Sequence, residues 1–112
     1  MVMTNVQELA TRHCTPCEGN TPPLSQPQVR DLLARLPGWE LKGSQIQRTY
    51  KFKNFHETMA FANAVAFIAH REDHHPDMEL SYNKCTIGYS THTIHGLSEN
   101  DFISAAKVDA LL

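Results

Sequence analysis

The alternation of apolar and polar residues predicts two β-hairpins in this chain. Residues 45–52 alternate with a period of two, and Gly43-Ser44 can supply a turn to a short strand before them. The same period recurs over residues 78–82 and 85–89, with Asn83-Lys84 as the turn between them. Strands joined by such short turns pair in antiparallel fashion. We therefore expect two antiparallel hairpins.

Three other stretches have the apolar spacing of helices. Ser25 can cap the first helix, which Pro37-Gly38 ends. The second and longest covers residues 55–71, and the third begins at Ser98, with Asp101 placed for a capping box. The resulting order α-β-β-α-β-β-α predicts an α+β fold, in which a four-stranded antiparallel sheet has three helices packed on one face.

The N-terminal residues have a different composition. Residues 1–24 contain Thr-Pro and Pro-Pro together with glycine and asparagine, which predicts a flexible arm ahead of a single domain at 25–112. Within the arm, residues 13–17 read His-Cys-Thr-Pro-Cys, which can be half a zinc site or a redox pair. Structural zinc needs four ligands and this segment offers three, and no βαβ pattern makes it thioredoxin-like. We therefore expect a mobile arm.

Composition excludes several classes of function. The formal net charge is −2, and the sequence has no basic run, which argues against direct binding to nucleic acid or to an anionic membrane. No apolar run approaches the ~20 residues of a membrane helix. The three cysteines are an odd number and do not form a secreted disulfide framework. We expect a soluble cytoplasmic protein with no membrane partner.

Residues 70–96 hold five of the seven histidines. Pro76 should end the preceding helix at His74 and His75, and the hairpin brings the start of its first strand beside the end of its second. The sequence therefore predicts that His74 and His75 face His92 across one end of the sheet. Imidazole can exchange a proton near neutral pH, so such a cluster suggests acid–base chemistry or a metal site.

Several ordered motifs run through residues 25–112. They are His74-His75-Pro76, Tyr82-Asn83-Lys84, Ser90-Thr91-His92 and Gly96-Leu97-Ser98 followed by Asp101, with Pro-Gly-Trp at 37–39 and Phe-Lys-Asn-Phe at 52–55. Together they make the chain similar to the pterin-4a-carbinolamine dehydratase family, also called 4a-hydroxytetrahydrobiopterin dehydratases. The chain departs from the family at His70, where an acidic residue is usual, and this changes the local electrostatics.

The resemblance implies a carbon–oxygen hydro-lyase. Its substrate would be 4a-hydroxytetrahydrobiopterin, its products quinonoid dihydropterin and water, and its role the recycling of the pterin cofactor of aromatic amino acid hydroxylases. The implied catalytic residues are His74, His75 and His92, with His74 and His92 transferring protons and His75 binding and orienting the pterin. No metal and no organic cofactor is implied.

The resemblance also implies a set of binding and supporting residues. The implied pterin contacts are His74, His75, Pro76, Thr91, His92, Thr93 and Ile94. Trp39 is first of all a core anchor, and the resemblance adds a role as a wall of the pterin pocket. Asp101 has a capping role of its own, and the resemblance places it near the active site.

The helix over residues 55–71 carries apolar side chains on more than one face, with interleaved alanines, so one sheet cannot cover it. We expect a homodimer or homotetramer that forms through this helix, as the resemblance also implies. An alternative from another class is a non-catalytic dimerisation cofactor of a transcription factor that uses the same surface, tested by changes at Phe61 or Val65.

A metal site is the other alternative. His70 and His74 are four residues apart, so they share a helix face, and His92 could supply a third nitrogen. The expected end of the helix near His74 and the lack of a His-Glu-x-x-His pattern argue against it.

Overall fold

The computed structural model describes residues 5–17, 19 and 21–112. Its helices are α1 (Asn5–Thr11), α2 (Gln26–Leu33), α3 (Phe55–Glu72) and α4 (Glu99–Asp109), with a short 3₁₀ helix at His92–Ile94, and its strands are β1 (Glu40–Lys42), β2 (Gln45–Lys51), β3 (Asp77–Leu80) and β4 (Lys84–Tyr89). The strands form one antiparallel sheet in the order β1-β2-β4-β3. The predicted α+β class with a four-stranded antiparallel sheet is confirmed.

The sheet has one apolar and one polar face. Gly43-Ser44 closes the first hairpin, with Lys42 paired to Gln45 and Gly43 at a positive φ of 63°. Glycine adopts this backbone conformation without a steric penalty. On the polar face the hydroxyls of Thr49 and Thr86 lie 2.8 Å apart. The inward, buried residues of the two central strands are Ile46, Tyr50, Cys85, Ile87 and Tyr89, as the alternation predicts.

The predicted helix starts agree with the structure. A capping box opens α2, in which Gln28 N–H donates to the Ser25 hydroxyl and the Gln28 side chain accepts from Ser25 N–H. Asn54 opens α3 by accepting from Glu57 N–H at 2.9 Å. Helix α3 ends at Glu72, one residue later than predicted, and the next residue has a left-handed backbone.

Helix α1 differs from the sequence-based expectation of a flexible arm. Residues 5–11 are helical, and Leu9 is fully buried in the main apolar core. The amine of Lys107 in α4 donates to the Ala10 carbonyl at 2.8 Å. A helix this short is marginal alone, so its stability comes from packing that sequence periodicity does not reveal. The described chain therefore has four α-helices where three were predicted.

The division into an arm at 1–24 and a domain at 25–112 stays a prediction, and residues 1–4, 18 and 20 of that arm lie outside the described residues. The core lies between the apolar face of the sheet and helices α1, α3 and α4. Among the helices that the structure describes, none combines the length and the apolar character that crossing a membrane requires.

Candidate active site

The end of α3 turns the His74 side chain into the molecule. Asp73 caps the helix with a left-handed backbone, φ 52°, and His74 N–H donates back to the Ala69 carbonyl at 3.2 Å. The His74 side chain is only 12% exposed. Its ring lies nearly parallel to that of Tyr89, at 8° and a centroid distance of 5.7 Å. A helix terminus and the last residue of β4 therefore fix the plane of this imidazole.

A buried carboxylate meets the same imidazole. Asp101 is fully buried, and its Oδ1 lies 2.6 Å from Nε2 of His74. Its Oδ2 accepts from the Thr91 hydroxyl at 2.8 Å and from Ser98 N–H at 2.9 Å. The carboxylate thus has hydrogen bonds on both oxygens, as a buried charge requires. A carboxylate in this position orients the imidazole and stabilises the imidazolium that forms during proton transfer.

A cavity of about 360 Å³ opens beside this pair. Such a volume suits a small-molecule substrate. The lining residues on the side of the histidine are Asp73, His74, Thr91 and Thr93, and the remaining ones are Glu72, Asn100 and residues 14–17. The N-terminal Cys-x-x-Cys therefore belongs to the wall of the cavity that contains His74.

We call residues 13–17 the strap. The side-chain amide of Asn100 accepts from Thr15 N–H at 3.0 Å and donates to the Thr15 carbonyl at 2.6 Å. The carboxylate of Glu72 accepts from Cys14 N–H at 2.8 Å and lies 3.1 Å from Nδ1 of His13. Sequence reasoning missed this contribution to the site. The only available signal was a Cys-x-x-Cys with prolines in a segment that otherwise reads as an extension.

The pKa values of two ionisable groups, one in the strap and one bonded to it, differ from their ordinary values. Burial raises the pKa of the Cys14 thiol to about 11. Burial by itself would also raise the pKa of Glu72, but the hydrogen bonds from Cys14 N–H and from His13, with the nearby Lys107 ammonium, hold that pKa below its ordinary value. The Glu72 side chain, 5% exposed, is thus kept as a carboxylate.

Some of the other predicted site residues line the cavity and some do not. His75 and His92 lie at the same end of the sheet as His74, just before β3 and just after β4, but both are exposed. Of the seven predicted pterin contacts, His74, Thr91 and Thr93 line the cavity, whereas His75, Pro76, His92 and Ile94 are not among the described residues that line it. Their catalytic and binding roles stay predictions.

Trp39 packs behind the site. It is 5% exposed, its ring lies 6.2 Å from that of Tyr89, and its indole N–H donates to the Asp109 carboxylate at 3.1 Å. It is therefore a core anchor, and its ring packs near Tyr89, which in turn stacks on the imidazole of His74. Its expected role as a wall of the pterin pocket stays a prediction.

The metal alternative needs His70, His74 and His92 together. Nε2 of His74 is already bonded to Asp101, and His70 and His92 are both exposed. Over the ranges 5–17, 19 and 21–112, no cluster of three or more His, Cys, Asp or Glu side chains is arranged to hold a metal ion.

Comparison with known proteins identifies the family. The family model for pterin 4 alpha carbinolamine dehydratase matches residues 22–111. The chain belongs to this family. A protein of Nitrosomonas eutropha is 58% identical over 111 residues, which are 98% of each chain, and one of Nitrosospira multiformis is 56% identical over 108 residues, which are 96% of each. Both relatives are provisionally named as pterin-4-alpha-carbinolamine dehydratases. The chain is thus a dehydratase, an enzyme of the lyase class.

Two solved structures share the fold of this dehydratase. One is a crystal structure of a transcriptional coactivator/pterin dehydratase from Brucella melitensis, with a TM-score of 0.76 and 32% identity over 80% of this chain and 97% of that one. The other is a pterin dehydratase-like protein identified as a RuBisCO assembly factor, with a TM-score of 0.55 and 26% identity over 65% of this chain and 84% of that one. Because the fold has more than one role among these proteins, the reaction must be argued from the site.

Proposed function

We propose that this enzyme dehydrates 4a-hydroxytetrahydrobiopterin to quinonoid dihydropterin by histidine acid–base catalysis, and so recycles the pterin cofactor of aromatic amino acid hydroxylases. The observation that supports it most is the contact between His74 and the buried Asp101 at the wall of the cavity. The family assignment supplies the substrate class, and the geometry supplies a group suited to proton transfer.

The reaction needs one proton delivered and one removed. The C4a hydroxyl leaves as water once it is protonated, while the lone pair of N5 forms the N5–C4a double bond and N5 loses its proton to a base. The two transfers leave the number of protons on the enzyme unchanged, and the two carriers return to their starting states when the base gives its proton to solvent and the acid takes one up. The nitrogen lone pair assists the departure of the hydroxyl, so the protein has to provide only an acid, a base and their positions.

His74 and His92 are the proposed proton carriers. Because Nε2 of His74 is bonded to Asp101, its Nδ1 is the nitrogen left for the pterin. His92, which is exposed in the 3₁₀ helix after β4, is the proposed second carrier, and the exposed His75 is proposed to bind and orient the ring. Thr91 and Thr93 line the cavity beside His74. The exposed Thr93 offers its hydroxyl to the polar edge of a pterin, whereas the hydroxyl and backbone of Thr91 are bonded within the protein.

The test is the dehydration rate of a 4a-hydroxytetrahydropterin followed by ultraviolet absorbance. We expect a fast wild type and a loss on the order of 10²–10⁴ in rate for His74→Ala and for His92→Ala. His56→Ala, an exposed histidine at the start of α3, is the matched control and should keep full activity. A chelator should change none of these rates. A wild type no faster than buffer would overturn the proposal.

We also propose that α3 mediates assembly into a homodimer or homotetramer. Phe55 and Phe67 are 50% and 64% exposed on this helix, so both rings leave apolar area that a partner could bury. Phe61 and Val65, which the sequence suggested as the residues to change, are instead buried against the core. The outer face around Phe67 is therefore the surface proposed for contact with another subunit.

The same face supports a second candidate function, binding of a transcription factor without catalysis. It is favoured by the exposure of Phe67 and by the coactivator description of the Brucella melitensis protein. Calorimetric titration with a purified transcription factor should show binding by the wild type and loss of binding by Phe67→Glu. Absence of binding by the wild type would remove this candidate and leave the dehydratase proposal intact.

A further inference from the structure

We propose that the strap forms one wall of the pterin pocket, and that Glu72 and Asn100 are the positioning residues that hold it there. The inference rests on the proposed function in one respect, namely that the occupant of the cavity is a pterin. It assigns a role in substrate binding to residues that lie N-terminal to the region matched by the family model.

The contacts that hold the strap are built into the folded domain. Asn100 is 7% exposed, and its amide pairs with both the N–H and the carbonyl of Thr15, as a neighbouring β-strand would. Its Nδ2 also donates to Cys17 Sγ at 3.5 Å. The Glu72 side chain is 5% exposed and accepts from Cys14 N–H. Because unpaired buried polar groups are costly, these two side chains favour the docked strap.

The positioning residues are neighbours of the proposed catalytic pair along the chain. Glu72 is the last residue of α3, two positions before His74, and Asn100 directly precedes Asp101 in the first turn of α4. The two backbone segments that bring His74 to Asp101 therefore also hold the strap. Movement of either segment would change the pocket wall and the imidazole together.

The chemistry of the strap suits a flat heteroaromatic ring. Pro16 and the two cysteines, whose side chains are soft and weakly polar, line the cavity together with His74, Thr91 and Thr93. Small-molecule sites combine such apolar walls with a few placed polar groups. A wall of this kind acts mainly on binding of the pterin, so its loss should raise KM more than it lowers kcat.

The kinetic test compares two variants with two controls. Asn100→Ala removes both bonds to Thr15, and we expect KM for the pterin to rise about tenfold, with kcat changed by less than about threefold. Glu72→Ala should act in the same direction, while Glu72→Gln keeps an acceptor for Cys14 N–H and should restore most of the binding. Asn83→Ala, in the distant β3–β4 turn, is the matched control. An unchanged KM in folded Asn100→Ala would overturn the inference.

A second measurement does not depend on turnover. Alkylation of the wild type by iodoacetamide, located by mass spectrometry, should be slowed severalfold at the half-buried Cys17 by 7,8-dihydrobiopterin, which has no 4a-hydroxyl to lose. In Asn100→Ala the strap cysteines should react faster, and the protection should be lost. Cys85, which is fully buried, reports unfolding and should stay unlabelled throughout.

The two measurements separate the inference from the proposed reaction. Protection of Cys17 in a wild type that does not dehydrate its substrate would support the strap as a pocket wall and overturn the reaction. Dehydration by the wild type without protection of Cys17 and without a change of KM in Asn100→Ala would leave the reaction standing and overturn the strap. Failure of both would overturn both.

Discussion

The carboxylate of Asp101 is shared between a helix terminus and an imidazole. Its Oδ2 accepts from Ser98 N–H at the start of α4, and its Oδ1 lies against His74. The capping pattern made Asp101 predictable as a structural residue, and the family resemblance placed it near the site. What the sequence alone could not supply is that a single buried side chain does both, because that depends on how α4 packs against the end of α3.

Asp101→Asn tests how much the negative charge of Asp101 contributes to the function of His74, since the variant side chain has the same size but no charge. The amide keeps the size of the side chain but replaces one accepting oxygen by a donor, and it removes the negative charge beside His74. We expect kcat to fall on the order of 10–100-fold, as when other outer partners of functional histidines are changed. Steady-state kinetics measure the loss of kcat, and a thermal unfolding curve shows whether the variant is also less stable.

Thr91→Val is the comparison for that variant. It removes the hydroxyl that donates to Asp101 Oδ2 but leaves the contact with His74 in place. A smaller loss of kcat than in Asp101→Asn is expected. Equal losses of kcat in the two variants would mean that the negative charge beside His74 does not contribute to catalysis.

The lowered pKa of Glu72 gives the strap a pH dependence. A carboxylate whose pKa is lower in the folded than in the unfolded protein stabilises the fold above its ordinary pKa, 4.5, and this stabilisation is lost as pH falls through the folded pKa. Urea unfolding should therefore show wild type more stable than Glu72→Gln at pH 7. The difference should shrink as pH falls below about 4.5. A constant difference between pH 7 and pH 3 would contradict this assignment.

At the scale of elements, the sequence predicted those parts whose stability is decided locally. The hairpin turn at Gly43-Ser44 and the caps at Ser25 and Asn54 each depend on residues within four positions of one another. Helix α1 and the strap do not. Their partners are Glu72, Asn100 and Lys107, about 60 to 100 residues away along the chain. A local sequence pattern therefore does not predict α1 or the docked strap.

The orientation of the long helix was only partly predictable. Its apolar residues on more than one face indicated a second surface, but the pattern did not say which face the sheet would take. In the structure Phe61 and Val65 face the core, and Phe67 faces outward. Because apolar residues occur on more than one face of the helix, its sequence does not decide which face packs against the core, and tertiary packing does.

Phe67→Glu should change the assembly state. A charge placed at the outer face of α3 would be unpaired in an interface between helices, and removal of the exposed ring reduces the apolar area available to bury. We expect light scattering after size-exclusion chromatography to give a smaller mass for Phe67→Glu than for the wild type. Lys53→Glu, just before α3, adds the same side chain outside that face and should keep the wild-type mass.

Across the whole molecule, Asp109 connects the last turn of α4 to the first β-hairpin. Its carboxylate accepts from the Trp39 indole, from the Arg48 guanidinium and from the Tyr50 hydroxyl. Burial and the bond to Asp109 together raise the pKa of Tyr50 above its ordinary value. The last turn of α4 is thereby joined to β2 and to the residue before β1.

Asp109→Ala should be markedly destabilising. It leaves three donors without their acceptor in a mostly buried place, with an expected loss of about 2–4 kcal/mol in the free energy of unfolding. For a domain of this size the melting temperature should fall by roughly 10 °C or more. Asp31→Ala, which removes an exposed ion pair with Arg35, should change stability by less than about 0.5 kcal/mol. Similar melting temperatures for the two variants would refute the anchoring role.

The burial of Leu9 has a practical consequence for anyone preparing this protein. A gene trimmed to the family match would start at residue 22 and would omit α1, whose leucine is fully enclosed beside α4. The shortened polypeptide would lose the burial of that side chain and expose the core surface beneath it, a loss of at least about 2–5 kcal/mol by analogy with leucine-to-alanine replacements. A poor yield or a raised KM of such a fragment would then result from the loss of α1, and it would say nothing about the activity of the intact enzyme.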